Sequence, residues 1–147
     1  NYRAFDIANL FIEAMLDYEH DKHPWYKVND EDYPTQREIE EFVRYYVFCT
    51  LLGDQLSNED FSKALENPEY INEHLKKTGK FSEFEDKIKQ LLEECAIGDL
   101  LSHYHWTLWS IVFSKRKGTK FDYITYAYDR FKLYNDAKAQ FLGEKDK

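Results

Sequence analysis

The chain has 147 residues, with 28 acidic against 20 basic side chains and a formal net charge of −8. That length suits one domain around one core, and the acidic excess argues against DNA or RNA as the partner. Aromatic residues reach 18%, while 5 Gly and 3 Pro are too few for the many tight turns of an all-β sandwich.

Helical patterns dominate the chain. From Phe5 to Tyr18, Ile7, Leu10, Phe11, Ala14 and Tyr18 repeat with the 3.6-residue period, and Asp6 is placed to cap the start. Asp6, Asn9, Glu13 and Asp17 form a polar stripe on the other side of that helix. A polar loop with His20, His23, Pro24, Trp25 and Tyr26 runs from Glu19 to about Pro34. Thr35 and Glu38 have the spacing of a capping box for a second helix that stops near Gly53. Residues 54–80 are polar and broken, and read as short helices or a long connection. The helical pattern returns from Phe81 to Cys95 and breaks near Gly98. It resumes from Asp99 to Ser114 as the most aromatic helix of the chain. Lys115 to Lys120 forms a turn whose basic residues compensate a helix C-terminus. Asp122 then caps a last helix to about Phe141, and the tail from Gly143 to Lys147 should fray.

Cys49 and Cys95 lie in apolar helical contexts and read as free thiols in a reducing compartment. No apolar run approaches the roughly 18 residues of a membrane span, and no signal peptide is visible. The chain opens with Asn1, and its only methionine is Met15, which reads as a piece of a longer polypeptide.

Few residues point to chemistry. His20 and His23 sit near Asp17, Glu19 and Asp21, a weak metal pattern that equally describes a solvated loop. His103 and His105 point about 200° apart on a helix and cannot share an ion. No nucleophile elbow or phosphate-cradling glycine loop is present. The aromatic residues carry more information. Trp106 and Trp109 share one helical edge, and Phe121 and Tyr126 follow across a turn, so the four rings can converge. Such rings either fill a core or form a box that holds a quaternary ammonium by cation–π attraction. Glu13, with Tyr18 about one turn on, is the carboxylate that such a box would use.

These residues resemble the choline/ethanolamine kinase family. The resemblance rests on Asn1 to Asn9 with Phe11 and Glu13, on Tyr33-Pro34-Thr35, on Ser102-His103-Tyr104 with Trp106 and Leu108-Trp109, and on Phe121, Tyr126 and Arg130-Phe131. It runs in family order to about Tyr134. It implies that the whole chain is one all-α piece, the helical part of the C-terminal lobe of a protein-kinase-like α+β fold. Glu13, Tyr18, Trp106, Trp109, Phe121 and Tyr126 then correspond to the choline pocket, and Asp6 and Asn9 to structural support of the catalytic loop.

The resemblance further implies a cytoplasmic ATP-dependent choline kinase that uses Mg²⁺. Such an enzyme makes phosphocholine for the first step of phosphatidylcholine synthesis, and a homodimer is among its expected forms. Choline is favoured by the match around Asp17-Tyr18 and Tyr33-Pro34-Thr35. Ethanolamine kinase is the alternative, and a non-catalytic helical aromatic-cage module is the alternative of another class. The ATP-binding lobe and the catalytic and metal-binding Asp residues would lie in a missing N-terminal part, so this chain supplies no catalytic residue and no metal ligand. Departures are Leu10 for His, Ala14 for Trp, Thr107 for Gly or Ala beside the tryptophans, and a longer stretch between Tyr33 and Ser102 that marks residues 54–80 as an insertion.

Overall fold

A computed structural model describes residues 2–143. It is all-α apart from one small hairpin, as expected. The described helices are α1 (Arg3–Glu13), α2 (Gln36–Leu52), α3 (Asn58–Glu66), α4 (Pro68–Thr78), α5 (Phe81–Phe113) and α6 (Tyr123–Phe141). Strands β1 (Leu16–Asp17) and β2 (Lys27–Val28) pair antiparallel, Leu16 opposite Val28 and Asp17 opposite Lys27. Of the tail expected to fray, residues 144–147 lie outside the described residues, as does Asn1.

The chain divides into two units, one formed by residues up to Tyr33 with those from Glu94 onward, the other by Pro34–Glu93. In the second unit, α2 begins with the expected capping box: Thr35 accepts from the Glu38 amide, and Glu38 accepts from the Thr35 amide. Residues 54–80 resolve into two short helices. Ser57 caps α3, Asn67 caps α4, and Gly79 closes α4 in the left-handed conformation that glycine adopts without steric cost. Val43, Val47, Phe48, Leu52, Ile71, Leu75 and Phe84 are buried in this unit. Arg44 donates to Glu85 and Asn72 while lying over the Phe84 ring.

The first unit is centred on buried Ile12, Met15, Leu16, Tyr26 and Tyr126, with Trp106, Phe121 and Leu133 packed against them. Here the structure corrects two sequence expectations. The first helix ends at Glu13 rather than Tyr18, and it starts at Arg3 behind Tyr2 without a side-chain cap. Asp6 lies inside its first turn, where a carboxylate complements the helix dipole. The helix stops because Met15 and Leu16 are drawn into the core and the Met15 carbonyl accepts from the Asn29 amide, which starts the hairpin. Asp17 therefore leaves the polar stripe and accepts from the Glu19 amide instead.

The second correction concerns Gly98. It does not break the helix, and α5 runs through it without interruption. A Cβ at Gly98 would stand 2.5 Å from the Ala4 carbonyl oxygen and 3.2 Å from the Ala8 Cβ. The glycine is there because the backbones of α1 and α5 approach each other at this point.

The turn after α5 and the Asp122 cap of α6 fall where the sequence put them. Asp122 accepts from the amides of Ile124 and Thr125 at 3.1 Å each. Both cysteines are free; Cys95 is buried, which pushes its thiol up to about 11, and Cys49 is half-buried. Among the described residues, no helix is long and apolar enough to cross a membrane.

Candidate functional site

A cleft of about 590 Å³ in the first unit is lined by Asn9, Glu13, Tyr18, Trp106, Trp109, Phe121, Tyr123 and Tyr126. All six residues expected at one pocket, from Glu13 to Tyr126, border this one space. Three local features assemble it. Helix α1 presents Asn9 and Glu13 one turn apart on one edge, and α5 presents the two tryptophans on another. The turn between α5 and α6 brings Phe121 and Tyr126 back across them.

The rings touch in sequence around the wall. Trp106 and Trp109 meet edge-on with centroids 5.3 Å apart, and Phe121 meets Tyr126 at 5.3 Å and Tyr18 at 6.3 Å. Trp109 stacks on Phe113 at 4.0 Å and meets Tyr123 at 5.7 Å. Tyr123 and Arg130 were missed as site residues in the sequence reading. Tyr123 carries a signal there, an aromatic side chain directly after the Asp122 cap. Arg130 has only its place in the motif Arg130-Phe131.

Polar groups hold the rings in place. The Asn9 side-chain oxygen accepts from the Trp106 indole N–H at 2.8 Å and from the Ser102 hydroxyl at 2.7 Å. This satisfies the indole donor of the half-buried Trp106. Tyr18 and Tyr126 join hydroxyl to hydroxyl at 2.9 Å. Arg130 is fully buried and donates to the Tyr126 hydroxyl at 3.1 Å and to Ser102 at 3.0 Å. The same guanidinium lies 3.8 Å from the Glu13 carboxylate.

Burial first, then Tyr126 and Glu13, pushes the Tyr18 phenol well above its ordinary value, so it stays protonated and able to donate. Tyr126 is likewise raised by burial. Behind this layer, burial drives Asp99 up to about 6. Burial and then Arg130 drive His103 down to about 3, so the imidazole is neutral near pH 7. Its 3.9 Å approach to Asp99 is therefore a contact beyond hydrogen-bond reach rather than an ion pair.

Other candidates lie elsewhere. Asp6 is exposed on α1 and does not border the cleft, and Leu10 and Ala14 are exposed as well. Thr107, beside the tryptophans, is buried and does not line the cleft; its hydroxyl donates to the His103 carbonyl at 2.8 Å. In the loop, His23 hydrogen-bonds Asp122 at 2.9 Å and so supports the cap of α6. Among the described residues, no three His, Cys, Asp or Glu side chains converge to hold a metal ion.

Six rings and the Glu13 carboxylate thus border one cleft, with buried Arg130 behind them, and ring faces beside a carboxylate can attract an organic cation. The choline/ethanolamine kinase family profile matches residues 1–135, and the chain belongs to that family. Among curated relatives, a human protein named choline/ethanolamine kinase is 35% identical over 140 residues, which cover 95% of this chain and 30% of that protein. Mouse choline kinase alpha is 34% identical over 94% of this chain and 26% of its own length. A probable ethanolamine kinase B from Dictyostelium discoideum is 28% identical over 99% and 32%. The chain spans about a third or less of these relatives' length.

Proposed function

We propose that this chain is the substrate-binding part of an ATP-dependent choline kinase. The observation that carries the reading is the cleft in which Trp106, Trp109, Phe121, Tyr126 and Tyr18 surround a space bordered by the Glu13 carboxylate. Ring faces attract a quaternary ammonium through their quadrupoles, and a partly desolvated contact is worth ~2 kcal/mol. Glu13 supplies the opposite charge. The rings and Glu13 then hold the ammonium so that the choline hydroxyl points away from the cleft. That is a positioning role, the kind on which phosphoryl transfer relies. In this reading ATP, Mg²⁺ and the catalytic carboxylates belong to the rest of a complete protein, and Asp6 and Asn9 support its catalytic loop.

Ethanolamine is the second reading, supported by the family's joint name and by the Dictyostelium relative. Residues 54–80 are read as an insertion, and they form α3 and α4.

The test replaces Trp106 or Trp109 by Leu in the full-length protein, which keeps apolar bulk and removes the ring face. Loss of a contact of that size should lower choline kcat/KM at least about tenfold, with KM for ATP little changed. If Leu sustains wild-type choline use, the rings are ordinary packing and the reading fails.

A further inference from the structure

From the hydrogen bonds behind the cleft, we infer that Arg130 is a positioning residue that sets which ammonium head the cleft prefers. The inference rests on the reading of the cleft as an ammonium site.

A guanidinium can only donate, and a carboxylate can only accept, so the direction of every bond between them follows. On one arm, Arg130 donates to the Tyr126 hydroxyl, which leaves Tyr126 free to donate to Tyr18. Glu13 borders the same cleft as Tyr18 and is among the groups that keep its phenol protonated. On the other arm, Arg130 donates to Ser102, so the single Ser102 proton goes to the Asn9 oxygen. That oxygen also accepts from Trp106. Both of its lone pairs are therefore taken.

One buried cation thus fixes both walls of the cleft, fills both acceptor sites of the Asn9 oxygen, and engages one acceptor site each on Tyr18 and Tyr126. What remains for a bound cation along these arms is ring faces, one further lone pair on each phenol and the Glu13 carboxylate, with no acceptor left on Asn9. A trimethylammonium has no N–H to satisfy and loses nothing by this arrangement. A primary ammonium brings three donors, and those that leave water without an acceptor are penalised. Rejection of the non-methylated head by spent acceptors is a specificity device separate from the cation–π attraction itself, because it works against the wrong ligand.

The test measures kcat/KM for choline and for ethanolamine with the full-length protein and two variants. Ser102→Ala removes one donor from Asn9 and frees a lone pair at the cleft. The ratio of choline to ethanolamine use should then fall about three- to tenfold, the worth of one hydrogen bond. Arg130→Lys keeps the charge, but a lysine lacks the fork needed to serve both arms, so the ratio should fall in the same direction. Equal loss for both substrates in Ser102→Ala would show that Arg130 and its network only support the fold, and would overturn the inference. Circular dichroism melting identifies a variant that fails to fold, and Ser102→Ala, the smaller change, then decides alone. If the wild type uses neither substrate, the reading of the cleft falls and this inference with it. If the wild type uses choline and the ratio stays put, only the role of Arg130 falls.

Discussion

Replacing Gly98 with Ala sets a local helix preference against a tertiary contact, and the two make opposite forecasts. In an exposed helix interior, Gly→Ala gains about 1 kcal/mol. At Gly98 the added Cβ would stand 2.5 Å from the Ala4 carbonyl oxygen and 2.9 Å from its carbon, against the roughly 3.4 Å of ordinary contact. The obstacle is backbone, so no side chain can rotate aside, and α1 must withdraw by about 1 Å. Overpacking of this kind costs typically 1–3 kcal/mol, and a backbone obstacle belongs at the upper end, about 3. The net is a loss of about 2 kcal/mol, or roughly 4–8 °C in melting temperature for a chain of this size. Gly53→Ala is the control, because a Cβ there meets nothing within 4 Å. Urea unfolding followed by tryptophan fluorescence and circular dichroism would compare the two. An equal or higher stability for Gly98→Ala would refute the close approach of α1 and α5. Because α1 also carries Asn9 and Glu13, the same substitution should weaken choline binding beyond what Gly53→Ala does.

Three further outcomes follow from the site. Asp99 sits at about 6 in the folded chain against an ordinary 3.8, so the folded state favours its neutral form and loses that advantage as pH rises through 6. Asp99→Asn should therefore gain stability relative to wild type as pH rises from about 4, by up to about 3 kcal/mol, with a midpoint of about 5 and a plateau above about 6; a pH-independent difference in urea titrations would refute the burial argument. Glu13→Gln in the full-length protein should raise KM for choline more than it lowers kcat, since the carboxylate attracts the cation and moves no proton; a collapse of kcat at constant KM would assign it a different role. Tyr18→Phe removes the hydroxyl that bonds Tyr126 while keeping a ring. It should cost choline binding less than Trp106→Leu does, and isothermal titration with choline would rank the two.

Much of this chain is legible without coordinates. Capping side chains act on neighbouring amides, so Thr35 with Glu38, and Asp122 before α6, are visible as spacing alone. The 3.6-residue period likewise puts Trp106 and Trp109 on one edge, and the resemblance to known kinases added Glu13 and Tyr18 to the same pocket. Local signals failed where distant residues decide. Gly98 looks like a helix break, and only the nearby Ala4 backbone explains a glycine inside an unbroken helix. The pattern up to Tyr18 looks helical, yet burial of Met15 and Leu16 and pairing with Lys27 and Val28 end the helix at Glu13. Arg130 stands among polar and aromatic residues like any surface arginine. Its burial, its two bonds and its distance to Glu13 depend on partners 4, 28 and 117 positions away in the chain. Spacing along one helix predicts which side chains share an edge, because the backbone repeat sets it. Which edges from separate elements meet, and which polar groups are then left to satisfy one another out of water, is decided only when the elements pack.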